Sequence, residues 1–267
     1  MSSPDHTSLK RRLGRRYTAT IADLIERRIE EEPDLRQWYE AMSDKHSRVH
    51  EGEAHAVESE HFRRGLRYFH AWRVRQVRRC LADKLDAAEF LDVGDTDGLM
   101  LKHLGKKGLG FNISQIAVDN IRSNDVEAQI GDGHGLPFPD GSFDAVLCFE
   151  TLEHVENQAQ VLDELARVCR PDGRVFISIP WVAHTVFHAR DPGQQRGHQH
   201  ITELARDDFA ALLSHTNLEL VSEAVCEMLG RPRSLAERVV TLEARRGNLV
   251  GGMFRRFQFF ELQPRTA

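Results

Sequence analysis

The fold is decided by residues 90–113, FLDVGDTDGLMLKHLGKKGLGFNI. A short apolar run, Phe90–Val93, ends at a turn with two glycines, and a helical pattern and a second short run follow. Further along, residues 143–149, FDAVLCF, are apolar almost throughout, as in a strand that is covered on both faces. Strands that alternate with helices in this way predict an α/β fold with a mostly parallel sheet.

The N-terminal part of the chain has a different sequence pattern, which is polar and predicts helices. Residues 20–32 place Ile21, Leu24, Ile25 and Ile29 on one helical face, and Pro33 is expected to end that helix. The polar residues 42–59 are predicted to form a loop or an exposed helix, and residues 60–85 a longer helix. We therefore predict a helical N-terminal extension, residues 1–86, and an α/β domain, residues 87–267.

Composition excludes several classes of protein. The chain has 267 residues, 40% of them hydrophobic, which suffices for a core without disulfides or structural metals. The four cysteines form no CxxC pair, which argues against zinc modules and a disulfide framework, and Cys148 and Cys169 are expected to be buried free thiols. Residues 1–20 lack the apolar run of a signal peptide, and no stretch matches a membrane span. We therefore expect a cytoplasmic protein without a transmembrane segment.

Charge is distributed unevenly along the chain. The formal net charge of −5 divides into +2 for residues 1–90 and −7 for the remainder. The basic part includes a helix with seven arginines between Arg63 and Arg79, which could bind phosphate, nucleic acid or an anionic lipid surface. Because this part is nearly neutral as a whole, we expect a solvated helix face instead.

Glycines and polar side chains that could bind a ligand lie at the ends of the first three predicted strands. Asp92, Gly94, Asp95 and Gly98 surround the first turn, Asn112 and Ile113 follow the second strand, and Asp132 and Gly133 follow the third. In an open α/β sheet, ligands bind at the carboxyl ends of the strands. These residues therefore predict a binding site for a nucleotide-like ligand at that edge.

Four motifs carry a resemblance to a known family: LDVGDTDG at 91–98, GFNIS at 110–114, GDGHGLPFPDGSFDAVLCFETLEHV at 131–155, and RPDGRVFISIP at 170–180. Over roughly residues 88–226 the chain resembles the class I S-adenosylmethionine-dependent methyltransferases, type 11 group. The resemblance implies S-adenosyl-L-methionine as the cofactor, methyl transfer as the activity, and a Rossmann-like, doubly wound sheet that is mostly parallel with an antiparallel last strand.

The resemblance also implies roles for single residues. Those expected to contact the cofactor are Asp92, Gly94, Asp95 and Gly98 around its methionine part, Asn112 at the ribose, Ile113, Asp132 and Gly133 at adenine, and Phe149, with Glu150, beside the methyl donor. Two positions depart from the family pattern, since Thr96 stands where glycine is usual and Asn112 where an acidic residue is usual. Both changes could weaken cofactor binding.

Histidines cluster after the fifth predicted strand, at positions 184, 188, 198 and 200. Imidazole suits transition metals, but without an accompanying Cys, Asp or Glu signature we predict no metal site. The resemblance makes this segment a substrate-facing loop. The candidates for contact with the acceptor, or for a general base, are Glu150, His154, His198 and His200.

The predicted function is methyl transfer to a small molecule, a glycan or a lipid intermediate. Nucleic acid is not expected as the acceptor, because the sequence shows no nucleic-acid-binding module. Two alternatives remain at this point. One is a non-catalytic, methyltransferase-like binding protein with a degenerate cofactor loop, and the other is a nicotinamide-dependent oxidoreductase. The second is disfavoured because residues 94–98 lack the GxGxxG spacing. The sequence does not predict an oligomeric state.

Overall fold

A computed structural model describes residues 6–42, 47–50, 53–56, 60–104, 108–189, 199–246 and 256–265. The chain divides into two compact units. The first holds residues 1–44, 58–72 and 227–256, and the second holds residues 45–57, 73–226 and 257–267. The division at residues 86 and 87 stays a prediction.

The regular elements follow one another along the chain with these bounds. They are α1 His6–Glu31, α2 Pro33–Ala41, β1 Ser47–His50, β2 Glu53–Ala56, α3 Glu60–Leu81, β3 Phe90–Val93, α4 Leu99–Leu104, β4 Gly108–Asn112, α5 Gln115–Ser123, β5 Glu127–Ile130, β6 Phe143–Phe149, α6 Gln158–Val168, β7 Cys169–Pro180, β8 Val186–Phe187, β9 Thr202–Glu203, α7 Arg206–Leu213, β10 Leu218–Cys226, α8 Leu235–Arg246 and β11 Phe257–Pro264.

The first unit is built on α1, and its apolar face is the predicted one. Ile21, Leu24, Ile25 and Ile29 are all buried. The helix ends at Glu31, before Pro33, and Pro33 is itself the first residue of the next helix, α2. Proline is suited to that position because the first turn of a helix leaves its N–H groups without helical partners.

In the same unit α8 packs beside α1. The Arg27 guanidinium and the Glu237 carboxylate form an ion pair with a nitrogen-to-oxygen distance of 2.8 Å. The Gly230 N–H donates to the Leu24 carbonyl at 2.9 Å. A side chain on Gly230 would lie 2.8 Å from that carbonyl oxygen, so this close approach requires glycine.

The second unit contains the main sheet. Its seven strands run in the order β10-β11-β7-β6-β3-β4-β5. The pairs within β7-β6-β3-β4-β5 are parallel, and β11 is antiparallel to both β7 and β10. The predicted fold, including the antiparallel last strand, is confirmed.

The strand order also fixes where a ligand can bind. From β3 the chain proceeds outward to β4 and β5, then returns to place β6 on the other side of β3. Such a reversal opens a crevice at the carboxyl ends of the central strands. Helix α6 follows β6, and its predicted cap is confirmed, since the Asn157 side chain accepts the Gln160 N–H at 3.2 Å.

Two predicted segments are different in the structure. Within residues 42–59, predicted as loop or exposed helix, β1 and β2 form an antiparallel pair, because strand pairing satisfies backbone groups even where the sequence is polar. Residues 202–214 were predicted to be helical throughout. Instead Thr202–Glu203 pairs with β8, and α7 begins only at Arg206.

The arginine-rich helix is not a solvated face throughout, and the prediction is wrong for two of its seven arginines. Arg73 and Arg75 are buried, with 4% and 6% of their surfaces exposed. Arg78 donates to the carbonyls of His103 and Leu104, at 3.1 and 3.2 Å. These carbonyls lie at the C-terminal end of α4, where a cation compensates the helix dipole.

The prediction of free thiols is confirmed. Cys148, Cys169 and Cys226 are buried, Cys80 is partly buried, and none is in a disulfide. Burial raises the pKa of the Cys80 thiol to about 12. Across the residues that the structure describes, no helix is long and apolar enough to cross a membrane.

Candidate functional site

The turn after β3, residues 94–98, is named the glycine loop. Gly94 and Gly98 have φ angles of 93° and 71°, in the left-handed region that favours glycine. The Gly94 N–H donates to the carbonyl of Phe111 in β4 at 2.7 Å. The loop is therefore fixed to the neighbouring strand at its first residue.

Two aspartates shape the glycine loop through its backbone. Asp95 Oδ1 accepts the N–H groups of Asp97 and Gly98, at 3.1 and 2.8 Å. Asp97 Oδ1 accepts the Leu99 N–H at 3.0 Å, at the start of α4. The second oxygen of Asp95, Oδ2, is buried and has no hydrogen-bond partner among the described residues. Asp95 therefore has a structural contact in the loop besides its predicted role toward the cofactor.

Asparagines brace the same loop from α5 and the residue after it. Asn120 Nδ2 donates to the Thr96 carbonyl at 2.6 Å, and Asn124 Nδ2 donates to the Asp97 carbonyl at 2.8 Å. The loop conformation is thus held by amides of a neighbouring helix as well as by its own aspartates.

Asn112 links the end of β4 to the glycine loop. Its Nδ2 donates to the Asp95 carbonyl at 2.7 Å, and its Oδ1 accepts the Ser114 N–H at 2.8 Å. One N–H and one lone pair of the amide remain for a ligand. The next residue, Ile113, is 44% exposed and offers an apolar surface at this edge.

The end of β5 lies beside the end of β4. The Gly131 N–H donates to the Asn112 carbonyl at 3.0 Å. Asp132 Oδ1 accepts the His134 N–H at 3.0 Å and lies 2.6 Å from His134 Nδ1. Asp132 retains 46% exposure of its side chain, so its carboxylate can also contact a ligand. A Cβ on Gly133 would lie 3.4 Å from a methyl carbon of Val93 in β3.

The end of β6 presents an aromatic ring and a carboxylate. The Arg73 guanidinium carbon lies 5.0 Å from the Phe149 ring centroid, over the ring. Glu150 has a φ of 49°, in the left-handed region, which is uncommon for a residue other than glycine. Its N–H donates to the Ser178 carbonyl at 3.0 Å, and its Oε1 accepts the Ser178 hydroxyl at 2.8 Å. The strained backbone is therefore anchored to β7.

Thr151 brings the ends of β3 and β6 together. Its hydroxyl oxygen lies 3.0 Å from the Phe149 carbonyl and 3.3 Å from the Val93 carbonyl. A Cβ added to Gly94 would overlap the Thr151 side chain. Glycine is therefore required at position 94 for steric reasons as well as for its φ angle.

Buried charge dominates the electrostatics of this edge. Burial, with the nearby Asp95, raises the pKa of Asp92 well above its usual range, and Arg73 opposes that shift. Burial, with the Asp97 charge, raises the pKa of Asp95 to about 7. Burial likewise raises the pKa of Glu150 to about 7, against the opposing effects of Arg73 and the Ser178 hydroxyl. A cationic ligand would stabilise the ionised forms of these carboxylates.

A second group of polar side chains, named the His/Glu cluster, consists of Glu153, His154, His188, His200 and Glu203. The rings of His154 and His200 have their centroids 4.7 Å apart, and those of His188 and His200 lie 6.0 Å apart. His200 Nδ1 lies 2.5 Å from Glu203 Oε1, and His188 Nε2 lies 3.5 Å from the same oxygen. Glu153 and Glu203 are both buried.

The predicted site residues therefore fall into two groups. Those after β3, β4, β5 and β6 line one edge of the sheet, and His154 and His200 lie in the His/Glu cluster. His198 lies outside the described residues. The roles of all these residues stay predictions.

Sequence reasoning missed three charged residues, Arg73, Glu153 and Glu203. A signal for Arg73 was present, since it lies four residues after Phe69 and four before Val77, on the apolar stripe of α3. Glu153 precedes the candidate His154 directly, and Glu203 follows His200 by three residues. These two glutamates are the acidic companions whose absence argued against a metal.

The sheet order, the glycine loop and the polar residues at the neighbouring strand ends are typical of α/β domains that bind a nucleotide-like ligand at the carboxyl edge of the sheet. Residues 91–177 match the family model described as a methyltransferase domain. This part of the chain is therefore similar to the class I S-adenosylmethionine-dependent methyltransferases, and the resemblance seen in the sequence is confirmed.

Individual methyltransferases are also similar to this chain in sequence. The chain is 29% identical over 164 residues to a probable S-adenosylmethionine-dependent methyltransferase of Mycobacterium tuberculosis, covering 59% of this chain and 57% of that protein. It is 27% identical over 181 residues to the 24-methylenesterol C-methyltransferase 2 of Oryza sativa, covering 60% and 49%. The chain spans between 37% and 57% of the length of the curated relatives that it matches first.

Among solved structures, the fold is similar to a chain from the Haloferax volcanii complex between the Trm112 methyltransferase activator and a methyltransferase. The TM-score is 0.55 at 18% identity, covering 73% of this chain and 90% of that chain. At this identity the likeness concerns the fold alone.

Proposed function

We propose that this protein transfers a methyl group from S-adenosyl-L-methionine to a small-molecule, glycan or lipid-intermediate acceptor. The observation that carries the proposal is the joining of four strand ends at one edge. The Gly94 N–H bonds to β4, Asn112 bonds to the glycine loop, Gly131 bonds to Asn112, and Thr151 lies against Gly94. A single extended ligand could contact all of these loops.

The residues at this edge fit the parts of that cofactor. The acidic surroundings of Asp92 and Asp95 suit its ammonium and sulfonium charges. Ile113 offers an apolar surface to the adenine ring, and the half-exposed Asp132 carboxylate can accept from the adenine amine. Asn112 keeps one donor and one acceptor for the ribose hydroxyls. The predicted cofactor contacts are therefore proposed as a set.

The sulfonium of the cofactor supplies a good leaving group, so the protein needs mainly to align the acceptor and exclude water. Phe149 and Glu150, at the end of β6, would border the transferred methyl group. With a pKa raised to about 7, Glu150 can hold or release a proton near neutral pH. His154, His198 and His200 are proposed as further contacts of the acceptor.

Isothermal titration of the full chain with S-adenosylmethionine and S-adenosylhomocysteine tests the cofactor assignment. We expect micromolar binding of both. Asp132→Ala should lower the affinity more than Asn112→Ala, because the Asn112 amide is already bonded within the protein. The absence of heat with either compound, at concentrations that reveal micromolar binding, would overturn the assignment.

The acceptor class needs a second experiment. Relatives of the chain include a protein named tocopherol O-methyltransferase and one named 24-methylenesterol C-methyltransferase, and both names denote small lipid-like acceptors. Incubation with methyl-labelled S-adenosylmethionine and separated lipid and polar extracts should place the label in one fraction. Tight cofactor binding without transfer to any fraction would favour the non-catalytic alternative.

A further inference from the structure

The His/Glu cluster is assembled from three separate segments, residues 153–154, 188 and 200–203, and none of its side chains is among the proposed cofactor contacts. We propose that Glu153, His154 and His200 bind one divalent first-row transition metal ion. One ligand atom from each of these three residues lies within 4.8 Å of the other two, a spacing that an ion at their centre can bridge. The sequence predicted no metal site because no acidic residue was recognised beside the histidines. The fold places Glu153 and Glu203 beside them.

The hydrogen bond of His154 fixes a tautomer that can bind a metal. His154 Nδ1 lies 3.0 Å from the Gln199 carbonyl oxygen. A carbonyl can only accept, so Nδ1 carries the proton and Nε2 keeps its lone pair. Metal-binding histidines characteristically donate their other ring N–H to a carbonyl or carboxylate in this way.

His200 is also oriented by a hydrogen bond from its Nδ1–H, which here goes to a carboxylate. Its Nδ1 lies 2.5 Å from Glu203 Oε1. Glu203 is buried, and its carboxylate accepts the Nδ1 proton and leaves Nε2 of His200 free to bind the ion. Glu203 is therefore a positioning residue, which acts through His200.

Glu153 provides the independent sign of a missing ligand. The residue is 2% exposed, and its Oε2 is buried without a hydrogen-bond partner among the described residues. Burying a carboxylate oxygen without a partner is costly, and buried carboxylates are normally paired or bound to metals. A cation held between Glu153 and the two imidazoles would satisfy that oxygen.

The backbone around the cluster is braced, which distinguishes it from a chance grouping of surface side chains. Glu153 and His154 lie in a 3-10 turn, Leu152–His154. The Glu153 carbonyl accepts the Ile201 N–H at 2.6 Å. Gln158 Nε2 donates to the carbonyls of Leu152 and Thr202, at 2.7 and 3.2 Å. The two segments that carry the ligands are therefore fixed to each other.

The ligand chemistry selects the kind of ion. Two imidazoles and one carboxylate suit Zn²⁺, Fe²⁺, Mn²⁺ and Co²⁺, whereas Mg²⁺ and Ca²⁺ prefer oxygen ligands alone. Three protein ligands leave at least one coordination position for water or for an oxygen of a bound molecule. His188, His200 and Glu203 form an overlapping group that shares His200, so only one of the two groups can hold an ion with His200 as ligand.

The position of the cluster suggests a task, and this step rests on the proposed function. Glu153 follows Glu150 by three residues, and Glu150 lies at the end of β6, beside the proposed methyl-donor site. An ion there would hold an oxygen-bearing acceptor and lower the pKa of its hydroxyl group.

Metal binding is tested on the full chain after removal of metals with a chelator. Titration with Zn²⁺, and with Co²⁺ as a spectroscopic probe, should show one ion per chain and visible Co²⁺ bands typical of nitrogen ligation. Mg²⁺ should produce no comparable binding. Glu153→Gln, His154→Ala and His200→Ala should each weaken the affinity by at least about tenfold, and Glu203→Gln by about 10–100-fold.

Controls separate this proposal from a structural effect and from the proposed function. His215→Ala, which changes an exposed histidine after α7, and His188→Ala should leave the Co²⁺ affinity within about twofold of the parent. The proposal is overturned if the parent protein binds no stoichiometric Co²⁺ or Zn²⁺, or if its Co²⁺ bands are those of oxygen ligation. It is equally overturned if folded Glu153→Gln and His200→Ala bind as the parent does. Titration with S-adenosylhomocysteine on the same metal-free sample reports the cofactor site separately.

Discussion

The glycine loop and the His/Glu cluster lie in the same unit and are built in opposite ways. The loop is one contiguous segment, held mainly through backbone atoms, with positive φ angles at Gly94 and Gly98. The cluster takes Glu153 and His154 from one segment and His200 and Glu203 from another, 46 residues later, and it depends on side chains. A contiguous motif is visible in a sequence, whereas a site that the fold assembles is not.

The largest expected effect comes from placing a side chain in the loop. Gly94→Ala introduces a Cβ at a φ of 93° and into the space of Thr151. Strain and overlap together should lower the free energy of unfolding by about 4 kcal/mol, measured by urea denaturation. Gly135→Ala is the matched control, because a Cβ there meets no atom within 4 Å. Equal stabilities of the two variants would remove the steric argument for position 94.

The second effect is a pH dependence of stability that Asp95 causes. Its pKa is raised by folding to about 7, so the unfolded chain loses this proton at lower pH than the folded one. The stability is then highest below about pH 4 and falls as the pH rises toward 7, by up to about 4 kcal/mol for this group. Asp95→Asn keeps an oxygen for the loop N–H groups and should flatten that decline. If the free energy of unfolding changes with pH equally in the parent and in Asp95→Asn between about pH 4 and 8, Asp95 does not cause the pH dependence.

A smaller effect is expected from restoring the residue that the family usually has. Asn112→Asp removes the Nδ2 donor and places a carboxylate oxygen against the Asp95 carbonyl, which accepts at 2.7 Å in the parent. We expect a loss of about 1 kcal/mol in the free energy of unfolding. Asn112→Ser, which loses the same contact without adding charge, is the comparison. A gain in stability on Asn112→Asp would contradict this account of the amide.

The smallest effect concerns the independence of the two regions. The His200 ring contacts Glu203, His154 and His188, which all belong to the His/Glu cluster. His200→Ala should therefore leave the affinity for S-adenosylhomocysteine within about twofold of the parent. Isothermal titration of both proteins without added metal measures this. A tenfold loss would mean that the cluster belongs to the cofactor site and that the two regions are one.

The sequence predicted the sheet well because its strands are short apolar runs bounded by turns. Phe90–Val93 and Phe143–Phe149 have the predicted bounds, as does α4. The hairpin of β1 and β2 was missed, since polar strands lack the apolar alternation by which strands are recognised. Residues 202 and 203 were assigned to a helix because periodicity does not show where a strand pair interrupts a helical pattern.

The candidate site was predictable only in part, for a related reason. Gly94, Asn112 and Asp132 follow successive strands, so parallel pairing brings them together once the strands are known. Arg73 was placed on the solvated side of its helix by its charge, although its spacing from Phe69 and Val77 placed it with the apolar stripe. The pairing of Glu153 with His200 depends on the course of residues between α6 and α7, which no local pattern determines.

The Asn112 amide has a consequence for the stage at which the glycine loop becomes ordered. It fixes the end of β4 to that loop through a hydrogen bond that needs no ligand and whose two groups do not titrate. A molecule that arrives at this edge meets a loop whose conformation is already held by hydrogen bonds within the protein. The conformational entropy of that loop is therefore lost when the chain folds. Ligand binding does not have to order the loop again, which leaves more of the binding free energy as affinity.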